Sequence, residues 1–180
     1  PCAPARRISR NIWRTMMPEA GAIALRSAGE SDIDEIEVLY RSCIGIEGTT
    51  WNEYYPRRRD AERDLAVNGL YVAEIGGATV GCISVIRSEL EALAGWRMRG
   101  DGVFELSRFA VHLDCRGHGY AADIISAVIR GLKNEGCPAV HLLAARSNRA
   151  AVRTYEKLGF ELCGECRMYD IDFYMYEKLL

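Results

Sequence analysis

Hydrophobic and polar residues recur along the chain with two different periods, which predict strands and helices in a definite order. Apolar runs predict strands at 22–26, 70–75, 79–87, 104–111, 140–145, 160–165 and 173–178, and the run at 104–111 contains neither proline nor glycine. Stripes at spacings of three and four predict a helix through Ile33 and Cys43, another over 57–67, a third after the glycines at 117–119 and a fourth over 148–158. The order β-α-α-β-β-β-α-β-α-β-β predicts a mixed α/β fold, with helices layered around one sheet.

Size and charge limit the classes of protein that this chain can belong to. At 180 residues it can form one domain with a substantial core, which we place at 21–180. A net charge of −2 gives no electrostatic basis for binding nucleic acid. No apolar run approaches the roughly 18 residues of a spanning helix, so we expect no membrane segment.

The first twenty residues differ from the remainder. They carry four arginines against one glutamate, Glu19, and lack a run long enough for a signal sequence. The chain begins at Pro1, whereas Met16 or Met17 would be a more usual start, so we treat it as a processed product, a fragment or translated upstream sequence. We expect the tail over 1–20 to be disordered and without function, with a remnant of an organellar transit peptide as the alternative.

Cysteine usage favours free thiols over a metal site. The chain has seven scattered cysteines, an odd number, which is typical of a reducing compartment. Cys163 and Cys166 form a CxxC pair, but no second pair and no nearby histidine pair complete a zinc site. We therefore expect no metal, and two ordinary thiols on a hairpin.

The stretch from Arg116 to Ala121 carries the most information. It lies between the strand at 104–111 and a helix whose Ile125 and Leu132 belong to a buried stripe. Glycines at a helix N-terminus let backbone N–H groups approach a ligand, and the helix dipole favours an anion there. The sequence therefore predicts a phosphate-binding loop.

Two kinds of phosphate ligand fit this loop. Gly117-x-Gly119-x-x-Ala122 matches the dinucleotide fingerprint, which would make the chain a binder of NADP. Against this, residues 112–116 separate the strand from the first glycine, and the strand at 140–145 ends in Arg146 rather than an acidic residue. Some 35 residues remain after it, which is too few for such a fold.

The second candidate comes from a family resemblance. Arg116-x-x-Gly119-x-Ala121, followed by Asn148 and the run Tyr155-Glu-Lys-Leu-Gly-Phe160, resembles the GNAT superfamily of acyl-CoA-dependent N-acetyltransferases over about residues 20–180. The resemblance implies a central mixed, mostly antiparallel sheet flanked by helices. It also implies a cytoplasmic enzyme that moves the acetyl group of acetyl-CoA directly to a primary amine in a ternary complex. The acceptor would be a small-molecule amine, a protein N-terminus or a lysine, and family habit suggests a homodimer.

The same resemblance assigns the residues that bind the cofactor. Backbone groups of Phe109 and Val111 would bind the pantetheine arm, and Asn148 would contact it. The pyrophosphate would be held by N–H groups of Arg116, Gly117, His118, Gly119, Tyr120 and Ala121. The chain departs from the common pattern at Leu113, where proline is frequent, and at His118, where lysine or arginine is frequent. A neutral His118 attracts phosphate less than lysine does.

Glu105 and Tyr155 are the predicted catalytic pair. An alkyl amine with a pKa of about 10.4 is almost fully protonated at pH 7, a cost of about 4.6 kcal/mol, so the reaction needs a base. Glu105 lies on the strand before the loop, where one branch of the family carries its glutamate, and strict alternation would put Glu105, Ser107, Phe109 and Val111 on one face. Tyr155 could protonate the leaving thiolate. The alternatives are a Glu105 paired with Arg108 or exposed to water, and a Tyr155 that only packs inward.

The segment at 45–56 is the predicted wall of the acceptor pocket. Trp51, Tyr54 and Tyr55 stand there beside Glu47 and Glu53, a combination that suits a cationic amine. The same aromatics could instead clip the loop to the core. A non-catalytic module that binds acyl-CoA but acylates nothing is the alternative from another functional class.

Overall fold

A computed structural model describes residues 23–180. The predicted tail over 1–20 lies outside these residues. The strands are β1 (Ala24–Ser27), β2 (Leu70–Ile75), β3 (Ala78–Arg87), β4 (Phe104–Val111), β5 (Ala139–Ala145), β6 (Glu161–Met168) and β7 (Ile171–Leu179). The helices are α1 (Ile33–Ser42), α2 (Arg58–Ala66), α3 (Tyr120–Asn134) and α4 (Arg149–Lys157). The predicted order of strands and helices is confirmed.

The strands form one sheet in the order β1-β2-β3-β4-β5-β7-β6. Every neighbouring pair is antiparallel except β4 and β5, which run parallel. The mixed, mostly antiparallel sheet is therefore confirmed. It also excludes the dinucleotide-binding alternative, because that fold is built on a parallel sheet.

Helices cover both faces of the sheet. Ile124, Ile125 and Val128 of α3 pack with Ile83 and Leu106 of the sheet on what we call the α3 face. On the opposite face, the α1 face, Ile36 and Leu39 of α1 pack against other strand residues: Val72, Cys82 and Ala110. Burying both faces makes the central strands nearly continuous apolar runs. Within residues 23–180, none of the helices has the length and apolar character needed to cross a bilayer.

A bulge in β4 changes which of its side chains share a face. The pairing with β3 shifts between Cys82 and Ser84, and Arg108 lies in the shifted stretch with φ = 44°. An extra residue rotates the strand, so the alternation restarts one position later. Phe109 and Val111 consequently pack with the α3-face cluster, like Leu106, while Glu105 lies on the α1 face. The predicted single face for Glu105, Ser107, Phe109 and Val111 is wrong for this reason.

The bulge is tied down by a buried ion pair. The Arg108 guanidinium donates to both carboxylate oxygens of Asp64 in α2, at 2.5 Å and 2.8 Å, and the two side chains are 5% and 1% exposed. Ser84 donates to the same carboxylate at 2.5 Å, and Arg108 also donates to the Tyr55 hydroxyl at 3.1 Å. These bonds neutralise two buried charges and fix α2 against the sheet.

The last hairpin extends further than its sequence suggested. β6 runs to Met168 and β7 begins at Ile171, with only Tyr169 and Asp170 between them. Both residues of this turn have positive φ, 53° and 61°, which is the geometry of a two-residue turn that follows the twist of the strands. Tyr169 is an unusual residue for such a turn, so no local pattern predicted it.

The buried ion pair leads to a prediction about stability. Asp64→Ala should lower the free energy of unfolding by about 3–5 kcal/mol, because it leaves the Arg108 guanidinium buried without its counter-charge. Denaturant unfolding followed by circular dichroism measures this. Asp101→Ala is the matched control, since it breaks the exposed pair of Arg87 and Asp101 and should cost less than about 1 kcal/mol. Equal losses in the two variants would contradict the prediction.

Candidate active site

Glu105 occupies the point where β4 and β5 separate. The two strands pair at Phe104–Val140 and at Glu105–His141, and no further pair joins them within the described residues. Both strands continue for several residues, to Val111 and Ala145. The sheet therefore contains a cleft that opens toward the carboxyl ends of β4 and β5, with Glu105 at its closed end.

The surroundings of Glu105 alter its acidity. Burial raises the pKa of the Glu105 carboxyl to about 7, and this is the largest effect on it. The Arg108 charge and the N–H of Glu89 act in the opposite direction. Neither predicted structural alternative for Glu105 is found: the side chain is partly buried, and Arg108 pairs with Asp64 instead.

The predicted phosphate-binding loop has the backbone geometry that its glycines predict. Gly119 is the N-cap of α3 with φ = 86°, and Gly117 has φ = 82°. Both backbones are in the left-handed region that favours glycine. The N–H groups of Gly117, His118 and Gly119 find no acceptor among the described residues, and no side chain of that region caps α3. Tyr120 and Ala121 begin the helix, where N–H groups also lack intrahelical partners. This set of donors fits a pyrophosphate.

Arg116 serves the loop in a different way from its neighbours. Its backbone N–H donates to Leu113 at 3.2 Å, so that donor is already in use. Its guanidinium donates to the Val111 carbonyl at 3.1 Å and contacts the Cys43 sulfur at 3.1 Å. Arg116 thus ties the loop to the end of β4 and to the end of α1.

His118 also bonds within the loop. Its Nδ1–H donates to the Arg116 carbonyl at 3.0 Å, and its ring stacks on that of Tyr120. The imidazole is exposed beside the N–H donors.

Asn148 lies three residues after the end of β5, at the start of α4. Its side-chain oxygen accepts from the N–H of Ala151 at 3.1 Å, so it caps the helix. The connection from α1 to α2 reaches the same turn, where Ser147 donates to the Gly48 carbonyl at 3.2 Å. A side chain at Gly48 would place its Cβ 2.8 Å from backbone atoms of Ser147 and Asn148. Glycine there allows the two segments to touch.

Tyr155 lies on the inner side of α4. Its ring packs against Phe160 and Tyr176 and belongs to the α3-face cluster. Burial raises the pKa of its hydroxyl to about 12. The phenol therefore stays protonated at neutral pH and has a proton to donate.

The predicted acceptor wall divides into two parts. Trp51 meets Tyr40 edge to face at 5.4 Å and packs with the α1-face core, which is the clip that the alternative described. Tyr55 instead turns toward the site: its hydroxyl accepts from Arg108, and its charge environment includes Glu105. Tyr54 is exposed and holds the Arg57 guanidinium over its ring.

The remaining candidates take structural positions. His112 is exposed at the end of β4 and accepts weakly from the N–H of Asp114 at 3.4 Å. The six cysteines in the described part of the chain are free, and burial raises the pKa of both Cys163 and Cys166. Residues 23–180 contain no group of three or more potential ligands that could hold a metal ion.

Arg108, Asp64 and Ser84 are the site neighbours that sequence reasoning missed. They stand 20 to 44 positions apart in the chain, and no motif links them. The one available signal was in β4 itself, where the apolar positions change phase from Phe104 and Leu106 to Phe109 and Val111. That change of phase indicates a bulge at Arg108.

Comparison with known proteins supports the fold and the family. The family model "Acetyltransferase (GNAT) family" matches residues 33–160. An acetyltransferase of Yersinia enterocolitica is 30% identical over 139 residues, which is 76% of this chain and 86% of that protein.

Solved structures agree in fold. A GNAT-family acetyltransferase from Streptococcus agalactiae superposes with a TM-score of 0.76 at 23% identity, covering 88% of this chain and 95% of that one. A Salmonella typhimurium structure that holds acetyl-CoA as its cofactor has a TM-score of 0.65 at 19% identity, covering 88% and 94%. The separated strands β4 and β5 and the glycine loop agree with these matches. The chain belongs to the GNAT family of acetyltransferases.

Proposed function

We propose that this protein transfers the acetyl group of acetyl-CoA to a primary amine, with Glu105 as the general base. The observation that carries the proposal is the partly buried Glu105 carboxyl at the closed end of the cleft, with its pKa raised to about 7. A base is most effective when its pKa lies near the working pH. The acceptor is the amine of a small molecule, of a protein N-terminus or of a lysine.

The donor molecule would occupy the α3 face and the cleft. The N–H groups from Gly117 to Ala121 would hold its pyrophosphate, and Arg116 would support the loop from behind. Main-chain groups of Phe109 and Val111 would bind the pantetheine as an added strand, because this edge of β4 has lost β5 as its neighbour. Asn148 would contact the same arm through its amide N–H₂ group, since its oxygen caps α4.

The acceptor would approach from the α1 face, where Glu105 and Tyr55 lie. Acetyl-CoA supplies a thioester whose carbonyl carbon the amine nitrogen attacks, and the C–S bond breaks directly in the ternary complex. Glu105 takes the proton that the amine loses. Tyr155 donates a hydrogen bond, and then its proton, to the departing sulfur.

The free thiols of the described cysteines suit the reducing cytoplasm, in which we propose that the protein acts. The binding-module alternative shares the glycine loop but has no use for a base with a raised pKa. Turnover with a panel of amines distinguishes the two.

Replacing the proposed base should remove the acidic limb of the pH profile, which is the rise of kcat/KM with pH below about pH 7. In the wild type, kcat/KM should rise tenfold per pH unit up to about pH 7 and then level off, because only the Glu105 carboxylate accepts a proton. Glu105→Gln should lower kcat/KM by about 100-fold or more and abolish this limb. Steady-state rates between about pH 5.5 and 9 measure it, a range that extends more than one unit on each side of the pKa. Glu165→Gln, on β6 and half exposed, should leave the profile unchanged. A Glu105→Gln enzyme with wild-type rates would refute the role of Glu105.

Tyr155→Phe should separate catalysis from binding. Losing the hydroxyl removes the proton donor for sulfur, so we expect kcat to fall by about 10- to 100-fold while the Kd for acetyl-CoA changes less than about threefold. Rapid-quench kinetics and titration calorimetry give the two quantities. Tyr169→Phe, on the exposed turn between β6 and β7, is the control and should change neither. An unchanged kcat in Tyr155→Phe would limit Tyr155 to packing.

The glycine loop provides a matched pair of variants. Gly119→Ala and Gly77→Ala both place a side chain on a backbone with φ near 86°, and neither new Cβ meets any other atom within 4 Å. Each should cost about 1–2 kcal/mol of stability. Gly119→Ala alone should also weaken acetyl-CoA binding, by about tenfold, because it perturbs the N–H donors. Thermal unfolding with acetyl-CoA, CoA and NADP titrated separately tests this. Equal ligand shifts in both variants, or a shift with NADP only, would contradict it.

A further inference from the structure

The connection between β3 and β4, residues 88–101, covers the α1 face of the sheet next to Glu105. We call it the cover segment. Its Leu90 and Trp96 are buried with Met175 of β7, while Leu143 of β5 packs against the same cluster. At Gly95 (φ = 117°) a Cβ would stand 2.6 Å from the Cys163 carbonyl, so the segment lies directly on β6 there.

A fully buried histidine holds the start of this segment. His141 of β5 is 0% exposed, and its Nδ1 lies 3.1 Å from the Ser88 hydroxyl. Its Nε2 lies 3.1 Å from the Glu177 carboxylate. The imidazole is stacked on Trp96, with ring centroids 4.0 Å apart and planes 12° from parallel.

A fully buried glutamate holds the other end. Glu177 of β7 is 0% exposed and accepts from the backbone N–H groups of Met98, at 2.9 Å, and Arg97, at 3.2 Å. The Arg97 guanidinium donates to its second oxygen at 3.0 Å. One connected set of hydrogen bonds, Ser88–His141–Glu177–Arg97, therefore fastens both ends of the cover segment to β5 and β7.

This network lies beside the proposed base. Glu105 and His141 are directly paired across the two parallel strands, so their side chains project to the same face. The residue after Ser88 completes the link, because the backbone N–H of Glu89 is among the groups that act on the pKa of the Glu105 carboxyl. Moving Ser88 away from His141 would therefore also move a group that acts on Glu105.

We propose that Ser88, His141 and Glu177 are positioning residues that clamp the cover segment, keep water from the Glu105 carboxylate and hold it ready to receive the acceptor's proton. The inference rests on the proposed role of Glu105 as the base. His141 and Glu177 are wholly buried, so neither can touch an acceptor, and their effect must pass through the cover segment.

The groups around Glu105 determine the direction of the expected effect. Burial is the largest influence and raises its pKa; the carboxylates of Glu89 and Asp64 act in the same direction. Arg108 and the Glu89 N–H lower it, and the Tyr55 hydroxyl faces it from the loop before α2. Loosening the cover segment admits water to Glu105. It also moves Glu89 away, so that the influence of its carboxylate and that of its N–H are lost together. Because burial is the dominant influence, the pKa of Glu105 should fall toward its ordinary value.

Two variants loosen the clamp to different degrees. His141→Phe keeps a ring on Trp96 but loses both hydrogen bonds. Ser88→Ala removes only the hydroxyl that contacts His141. If His141→Phe does not fold, Ser88→Ala alone tests the clamp. Asp101→Asn is the matched control, because it breaks the exposed ion pair between Arg87 and the last residue of the cover segment without touching the clamp.

Carbon-13 NMR titration of the glutamate carboxyls measures the pKa of Glu105 in the protein alone, without acetyl-CoA or an amine. The Glu105 signal is identified because it is missing from the spectrum of Glu105→Gln. We expect the Glu105 midpoint to fall by about 1 pH unit or more in His141→Phe, by less in Ser88→Ala, and by under about 0.2 in Asp101→Asn. The lower limb of kcat/KM should move to lower pH by the same amount, with the Kd for acetyl-CoA unchanged.

A Glu105 midpoint that stays at the wild-type value in folded Ser88→Ala and His141→Phe would overturn the clamp. An equal fall in Asp101→Asn would overturn it too, because any change in the region would then suffice. These results are independent of whether Glu105 acts in catalysis. If Glu105→Gln retained full activity, the proposed function would fail, whereas the NMR midpoints would still report on the clamp.

Discussion

Because β4 and β5 pair only at Phe104–Val140 and Glu105–His141, main chain in the middle of the sheet is left without a strand neighbour. Backbone donors and acceptors in such a place need a partner, and an extended molecule that carries amides can supply one. The gap between the two strands also opens a passage from one face of the sheet to the other. Through this gap, a group bound on the α3 face can meet one that arrives on the α1 face. The bulge at Arg108 then directs Phe109 and Val111 to the first face and leaves Glu105 on the second. The geometry of the site thus follows from two irregularities of the sheet, the separation of β4 from β5 and the bulge at Arg108.

The proposed base has an energetic cost for the fold. A carboxyl whose pKa is about 7 in the folded state and 4.5 in the unfolded chain binds more protons when folded between those values. Stability therefore falls as pH rises from about 4.5 to 7, and at neutral pH part of the ionisation penalty is carried by the folded state. The buried Asp64–Arg108 pair next to it has both charges satisfied, which keeps this part of the sheet rigid. A carboxyl that is costly to ionise, next to an ion pair whose two charges compensate each other, is the pattern expected where a functional requirement lowers the stability of the fold.

Local patterns were sufficient to predict the helices, the strands and the glycine loop, because each depends on neighbours within a few positions. The strand 104–111 and the order of all elements are as predicted. The separation of β4 from β5, the pairing of Arg108 with Asp64 and the clamp at His141 depend on residues 36 to 80 positions apart, and no local pattern encodes them. The wrong face assignment in β4 came from assuming strict alternation, although the change of phase between Leu106 and Phe109 was visible. The turn at Tyr169 and Asp170 was missed because neither residue is glycine or asparagine.

The raised pKa of Glu105 also explains why a carboxylate can serve where the acceptor is a much stronger base. Against an amine of pKa about 10.4, a carboxylate of pKa 4.5 would accept the proton at a cost of about 8 kcal/mol, and one of pKa 7 at about 4.6 kcal/mol. The basicity of Glu105 thus increases about 300-fold, whereas about half of the molecules still carry the ionised carboxylate at pH 7. The pKa of Tyr155 is raised to about 12, so its phenol stays protonated at pH 7, where about half of the Glu105 carboxyls are ionised. In the proposed reaction the ionised Glu105 would accept the amine proton and Tyr155 would donate one to the departing thiolate.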